Sequence, residues 1–196
     1  MSNLYNFTKR LTDLIGAFVA LIVFSPVIIA SMVAIYMTMG RPIFFTQDRS
    51  GMGQIHFRII KLRTMKLRQS LKESDEERIT KLGEVLRKYS LDELPQLINV
   101  LLGNMSLVGP RPLLVDYDDK FSEHHKLRFL VRPGITGLAQ VNGRNTIGWD
   151  TKLEYDVEYV RKQGLALDLK ILLKTLSVVV RASGFQRGGE ASRFDE

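Results

Sequence analysis

The chain has 196 residues, with 28 lysines and arginines against 21 aspartates and glutamates, a net charge of +7 and no cysteine. That length allows one domain with a real core plus a smaller appendage. The lack of cysteine excludes disulfides, thiolate metal sites and a cysteine nucleophile, and the basic excess points to phosphate-bearing partners such as anionic lipid or nucleotide.

Lys9 and Arg10 precede an uncharged run from Leu14 to Met39, longer than the roughly 20 residues that cross a bilayer core. The run exceeds the roughly 7–15 apolar residues of a signal peptide and lacks a small-residue cleavage site, so it reads as a retained membrane segment. Ser25-Pro26, near its middle, removes one backbone hydrogen bond and predicts a kinked or broken helix. Basic residues flank both ends: Lys9 and Arg10 on one side, Arg41 and Arg49 on the other. The positive-inside tendency then favours both ends in the cytoplasm, as a re-entrant path provides and a spanning helix does not.

Ile43–Arg49 and Ile55–Arg63 are rich in β-branched and aromatic residues around Gly51 and Gly53, which predicts a β-hairpin with Arg58, Lys61 and Arg63 on its second strand. Ser70–Tyr89 is polar, with Ile79, Leu82 and Leu86 at helical spacing, and predicts an exposed helix or a loop plus helix. Ser90 opens a further predicted helix striped by Leu94, Leu97, Ile98, Leu101 and Leu102 and stopped by Gly103-Asn104. SLVGPRP (residues 106–112) and VRPGITGLAQVNGR (131–144) read as loops. Between them lies a charged helical stretch whose His124-His125 pair, with no partner at metal-binding spacing, reads as solvated surface. Leu165–Val180 is strongly apolar but carries Lys170 and Lys174, with Arg181 just beyond; a packed core helix and a membrane-surface helix both fit. The predicted fold is α+β and mostly helical. Residues 1–40 are expected to form a membrane anchor, 41–184 a small globular domain with a β-hairpin and amphipathic surface helices, and 185–196 a loosely ordered tail.

No P-loop, nucleophile elbow, zinc motif or nucleic-acid module occurs, and Gly51-Met-Gly53 lacks the third glycine of a dinucleotide fingerprint. What remains is KYSLDELPQL (88–97). Ser90 and Glu93 have the spacing of a capping box. Asp92 is then expected in the first helical turn, whose positive end favours its ionised form. An ionised carboxylate is also what a nucleophile toward phosphorus or a Mg²⁺ ligand must be, so the pair reads as cap or as chemistry, with the local sequence alone favouring the cap. Pro95, lacking an N–H, is expected to leave the Leu91 carbonyl free. Adjacent helical residues face different ways, so Asp92 and Glu93 divide two jobs rather than share one proton. Arg87 precedes the pair, while Arg111, Arg132 and Arg144 sit beside Gly or Pro. Rigid backbone there suits guanidinium forks to phosphate oxygens.

The run SLDELPQLINVLLGNMSLVGPRPLL, with FRIIKLRTM upstream and VRPGITGLAQVNGR downstream, resembles the bacterial sugar transferase family of monotopic polyprenol-phosphate phosphoglycosyl transferases. The likeness extends over nearly the whole chain, from Lys9-Arg10 and Ser25-Pro26 to beyond Arg144. It implies that Asp92 attacks the β-phosphate of a UDP-sugar, releasing UMP, and that undecaprenyl phosphate then takes the phosphosugar from the enzyme. It also implies Mg²⁺, with Glu93 at the metal-holding position, and a re-entrant helix broken at Ser25-Pro26 in the bacterial inner membrane, with the catalytic domain facing the cytoplasm. Lys61, Arg63, Arg87, Arg111, Arg132 and Arg144 are the candidate substrate- and phosphate-binding residues. The family's short members suggest UDP-diacetylbacillosamine as donor, protein glycosylation as the setting and pathway glycosyltransferases as further partners; nucleic acid is not expected as a partner. Two rival readings are a basic membrane-surface scaffold, in which the acidic pair is only a cap, and a hydrolase of lipid-linked diphosphates.

Overall fold

A computed structural model describes residues 3–70, 73–143, 146–182 and 184–185. The long apolar run forms α1 (Asn3–Met39), which stays helical through Ser25-Pro26, where the sequence predicts a kink or a break. Pro26 offers no N–H to the Ile22 carbonyl; the Ser25 hydroxyl donates to that carbonyl at 2.8 Å instead. Helix α1 is long and apolar enough to cross a membrane by length and composition.

Both halves of α1 nevertheless rest on one body. Ala17 packs with Ile59, Leu97, Val100 and Met105 in one core cluster, and Ile35 packs with Leu62 and Leu86 in another. The N-terminal half is also held by charge. Asp13 accepts hydrogen bonds from Lys9, Ser106 and the Leu107 N–H, while Lys9 also meets Asp168 at 3.3 Å. Buried charges persist only when paired in this way. Between these two docked ends, Ile22, Val23 and Ile29 are exposed.

The predicted hairpin forms as β1 (Phe44–Ser50) and β2 (His56–Leu62), antiparallel from Phe44 opposite Leu62 to Ser50 opposite His56, around a turn at Gly53 with φ 65°. Arg63, at the end of β2, was expected at phosphate. It is instead 5% exposed and donates to the Met39 and Gly40 carbonyls at 2.7 and 2.8 Å. The end of α1 leaves carbonyls without helical partners, and a buried guanidinium satisfies them.

Ser70–Tyr89, read as an exposed helix or a loop plus helix, carries two short helices: α2 (Asp75–Arg78), opened by a true capping box of Ser74 and Glu77, and α3 (Lys81–Lys88). Gly83 lets α3 close on the end of β2, because a Cβ there would lie 1.9 Å from the Thr64 carbonyl oxygen. Next comes α4 (Gln96–Leu101), tied to β2 by buried Asn99. Its Oδ1 accepts from the Ile60 N–H and its Nδ2 donates to the Arg58 carbonyl, as a neighbouring strand would.

The two segments read as loops contain β3 (Ser106–Val108) and β4 (Gly134–Thr136), which pair in parallel. Glycine permits the contact: a Cβ on Gly134 would lie 2.1 Å from the Gly109 nitrogen. Helices α5 (Leu138–Val141), α6 (Trp149–Lys162) and α7 (Leu165–Val180) complete the fold. Helix α6 has no counterpart among the predicted elements, and the stretch around His124-His125 forms short 3₁₀ turns rather than a helix. Helix α7 is packed only in part as a core helix would be. It buries Asp168 and Ile171 against the domain while Leu165, Leu169, Leu173, Leu176 and Val180 stay exposed along its length. Of the expected tail, all but Phe185 lies outside the described residues.

Candidate active site

The acidic pair does not open a helix. Ser90 has φ 53° and ψ 24°, a left-handed conformation that serves as the C-terminal stop of α3, and its side chain makes no capping hydrogen bond. Such a conformation is costly for a residue other than glycine and tends to persist where the surroundings over-determine it. Leu91–Glu93 then form one 3₁₀ turn between α3 and α4. The capping box expected of Ser90 and Glu93 is therefore absent. The Leu91 carbonyl is also not left free, since it accepts from the Leu94 N–H at 3.3 Å.

Released from capping, Glu93 turns to cations. Its Oε1 accepts from Lys61 Nζ on β2 at 2.8 Å and from an Arg111 Nη at 2.9 Å. Burial on its own pushes Glu93 up, but the Arg111 and Lys61 charges outweigh it and hold the carboxyl well below its usual range. Asp92 behaves oppositely. Burial, reinforced by the Glu93 charge, lifts it to about 6 against the pull of Lys61, Arg87 and Arg111. The helix end expected to favour the ionised form of Asp92 is absent, and desolvation in a turn works against that form instead.

Arg87 reaches the site because Gly83, one turn earlier, brings α3 against β2; its Nε donates to Thr64 Oγ1 at 2.8 Å. The fold thus gathers Asp92, Glu93, Lys61, Arg87 and Arg111. It does not gather Arg63, spent on the end of α1, or Arg132, whose Nε donates to the Gly103 carbonyl at 2.9 Å. Arg144 lies outside the described residues.

Arg128 is a site residue that sequence reasoning missed. It is 3% exposed, lies 5.4 and 5.5 Å from the Phe121 and Phe129 ring centres, and donates to Asp156 Oδ2 at 2.9 Å and to the Arg111 carbonyl at 2.6 Å. It therefore fixes the backbone that presents Arg111 to Glu93. The only sequence signal was an arginine between apolar residues, with Asp156 supplied by the unpredicted α6.

The donor chemistry fits Mg²⁺, which takes oxygen ligands and is commonly held by one or two carboxylates plus substrate phosphates. Glu93 is firmly ionised, and both cations bind its Oε1, which leaves Oε2 for a hard cation.

Residues 4–182 match the family model described as bacterial sugar transferase, and the chain belongs to that family. It is 46% identical over 191 residues, 95% of each chain, to the uncharacterized sugar transferase EpsL of Bacillus subtilis. It is 39% identical over 182 residues to the UDP-glucose:undecaprenyl-phosphate glucose-1-phosphate transferase of Caulobacter vibrioides, covering 86% of this chain and 68% of the relative. A third relative, the UDP-N-acetylgalactosamine-undecaprenyl-phosphate N-acetylgalactosaminephosphotransferase of Aeromonas hydrophila, is 39% identical over 194 residues; the match covers 93% of this chain and 46% of that longer protein.

Replacing Arg128 with methionine strands a buried Asp156 carboxylate and is expected to cost about 3–5 kcal/mol in stability. Adding Asp156→Leu should recover most of that loss. Thermal melts of the single and double variants check this, and a single variant that melts like the parent refutes the pairing.

Proposed function

We propose that this bacterial sugar transferase moves a sugar 1-phosphate from a UDP-sugar to undecaprenyl phosphate through a covalent intermediate on Asp92. The observation that carries the reading is a buried carboxylate, raised to about 6, that feels the Glu93 charge beside it and the fields of Lys61, Arg87 and Arg111. The names of the relatives supply the two substrate classes.

In the first step an Asp92 carboxylate oxygen forms a bond to the β-phosphorus as the bond from that phosphorus to the bridging oxygen breaks. UMP departs with the electron pair. In the second step an oxygen of undecaprenyl phosphate attacks the same phosphorus, the aspartyl–phosphorus bond breaks, and the Asp92 carboxylate is restored. A covalent intermediate lets one site serve a water-soluble donor and a lipid acceptor in turn. Arg87 and Arg111 bind and orient the phosphate oxygens, for which planar forks are suited, while Lys61 adds positive charge. Glu93 would hold Mg²⁺, which when bound supplies positive charge against the diphosphate oxygens. Among donors, the resemblance to the family's short members favours UDP-diacetylbacillosamine and a role in protein glycosylation, whereas the curated relatives carry glucose and N-acetylgalactosamine names. UMP release across a UDP-sugar panel chooses between them.

The chain lies in the cytoplasmic membrane as a monotopic protein. Its two α1 ends dock on the same body, which a bilayer-spanning path would separate. The exposed apolar middle of α1 and the outward leucines of α7 provide surface to bury in lipid.

Asp92→Asn is nearly isosteric and removes the nucleophile. UMP release and a phosphosugar-labelled protein band should both fall by at least 10³-fold, and undiminished turnover rules out the covalent route. With Asp92 raised to about 6, its reactive carboxylate is lost as pH falls through that value. The donor kcat/KM should therefore decline about tenfold per pH unit below 6; a profile flat down to pH 5 contradicts this. Single cysteines near residues 3 and 40 should both be labelled only from the cytoplasmic side, and labelling from opposite sides would establish a spanning helix.

A further inference from the structure

The sequence offers His124 and His125 no third ligand at a metal-binding spacing, but the fold supplies one. Helix α6 packs on the His125–Leu130 turn and carries Glu154 to the pair. His124 Nε2 lies 3.2 Å from Glu154 Oε2, and His125 Nε2 lies 3.0 Å from Oε1. One ligand atom from each of the three side chains lies within 4.8 Å of the other two, a convergence found among the described residues at this place alone.

We propose that His124, His125 and Glu154 form a transition-metal site, of the class that takes Zn²⁺, which fastens the His125–Leu130 turn to α6. Three features carry the assignment. The first is convergence. Successive residues of a regular helix point in different directions, yet here two adjacent imidazoles, tilted at 58° with centres 5.4 Å apart, aim the same ring nitrogen at one carboxylate. The local turn makes this possible: the Ser122 hydroxyl accepts from the His125 N–H at 3.2 Å, and the Ser122 carbonyl from the Lys126 N–H at 3.0 Å.

The second is spacing. Ligands held tetrahedrally at about 2.0–2.2 Å from one zinc ion lie roughly 3.3–3.6 Å from each other. Here each imidazole nitrogen meets a different Glu154 oxygen, at 3.2 and 3.0 Å, and one atom from each side chain lies within 4.8 Å of the other two, so side-chain rotations that draw the three together complete the set. The third is donor type. Two imidazoles and one carboxylate form the ligand set of open zinc sites, with water completing the shell, whereas Mg²⁺ and Ca²⁺ prefer all-oxygen shells. The site therefore differs in chemistry from Asp92-Glu93, and Mg²⁺ serving one does not fill the other.

Its position gives the ion a structural task. The same turn and helix are already joined by Arg128 and Asp156, and Arg128 holds the Arg111 carbonyl. A bound ion adds a second fastening between these elements near the exposed surface.

The test uses tag-free, full-length protein in detergent, stripped with chelator and then titrated with Zn²⁺. One ion per chain should bind saturably and raise the melting temperature. His125→Ala and Glu154→Gln should each weaken binding at least tenfold, while Glu93→Gln leaves it unchanged and millimolar Mg²⁺ does not displace the ion. Co²⁺ bound to the unaltered protein should show visible ligand-field bands, which keeps the test decisive if a variant misfolds. Absence of saturable binding, equal affinity in the His125 and Glu154 variants, or loss of binding only with Glu93→Gln overturns the proposal.

Discussion

Two adjacent carboxylates in a three-residue turn, Asp92 buried and Glu93 half-buried, are the constraint around which the rest of the molecule is arranged. Asp92 is buried in the Leu91–Glu93 turn, and the Glu93 charge beside it raises the cost of ionising it. Cations must therefore be brought in from separate elements: Lys61 from β2, Arg87 from α3 and Arg111 from the segment after β3. Keeping Asp92 ionised at neutral pH still costs roughly 3 kcal/mol relative to water. The two carboxylates end up far apart in acidity because direct hydrogen bonds from Lys61 and Arg111 go to Glu93, while Asp92 receives only their longer-range field. A strongly held anion and a more basic one side by side are suited to different tasks.

Those cations are only as well placed as the elements that carry them. Gly83 sets the approach of α3 to β2, Asn99 closes the edge of β2 against α4, and Arg128 holds the Arg111 backbone through a buried pair with Asp156. Arginine has two unrelated uses here. Arg63 and Arg10 donate to carbonyls at the ends of α1 and α4, whereas Arg87 and Arg111 face the acidic pair. Residue type does not separate these uses; the neighbouring carbonyls do.

Much of the plan is legible along the chain. The apolar run, the hairpin around Gly53 and the helix over Leu165–Val180 follow from local periodicity and turn chemistry, and each element forms close to its expected bounds. The Ser25-Pro26 pair is legible too: the helix runs on through it, and the Ser25 hydroxyl donates to the Ile22 carbonyl that Pro26 cannot reach. The misreadings share a cause. Ser90 and Glu93 have capping-box spacing, but a left-handed Ser90 ends the previous helix before a new one can start, and the working capping box lies at Ser74 and Glu77. Likewise SLVGPRP and VRPGITG look like loops because three-residue strands have no detectable period, and they pair only because glycine allows backbones to touch.

By itself, the sequence determined the membrane-seeking segment, the basic character of the surface and the adjacency of Asp92 and Glu93, since these depend on composition and on neighbours in the chain. Only tertiary structure decided which cations reach the acidic pair, that Arg63 and Arg132 are committed to backbone carbonyls, and that Glu154 meets His124 and His125. Each of those outcomes depends on contacts between residues far apart in the chain, which burial and hydrogen-bond satisfaction select and local spacing does not encode.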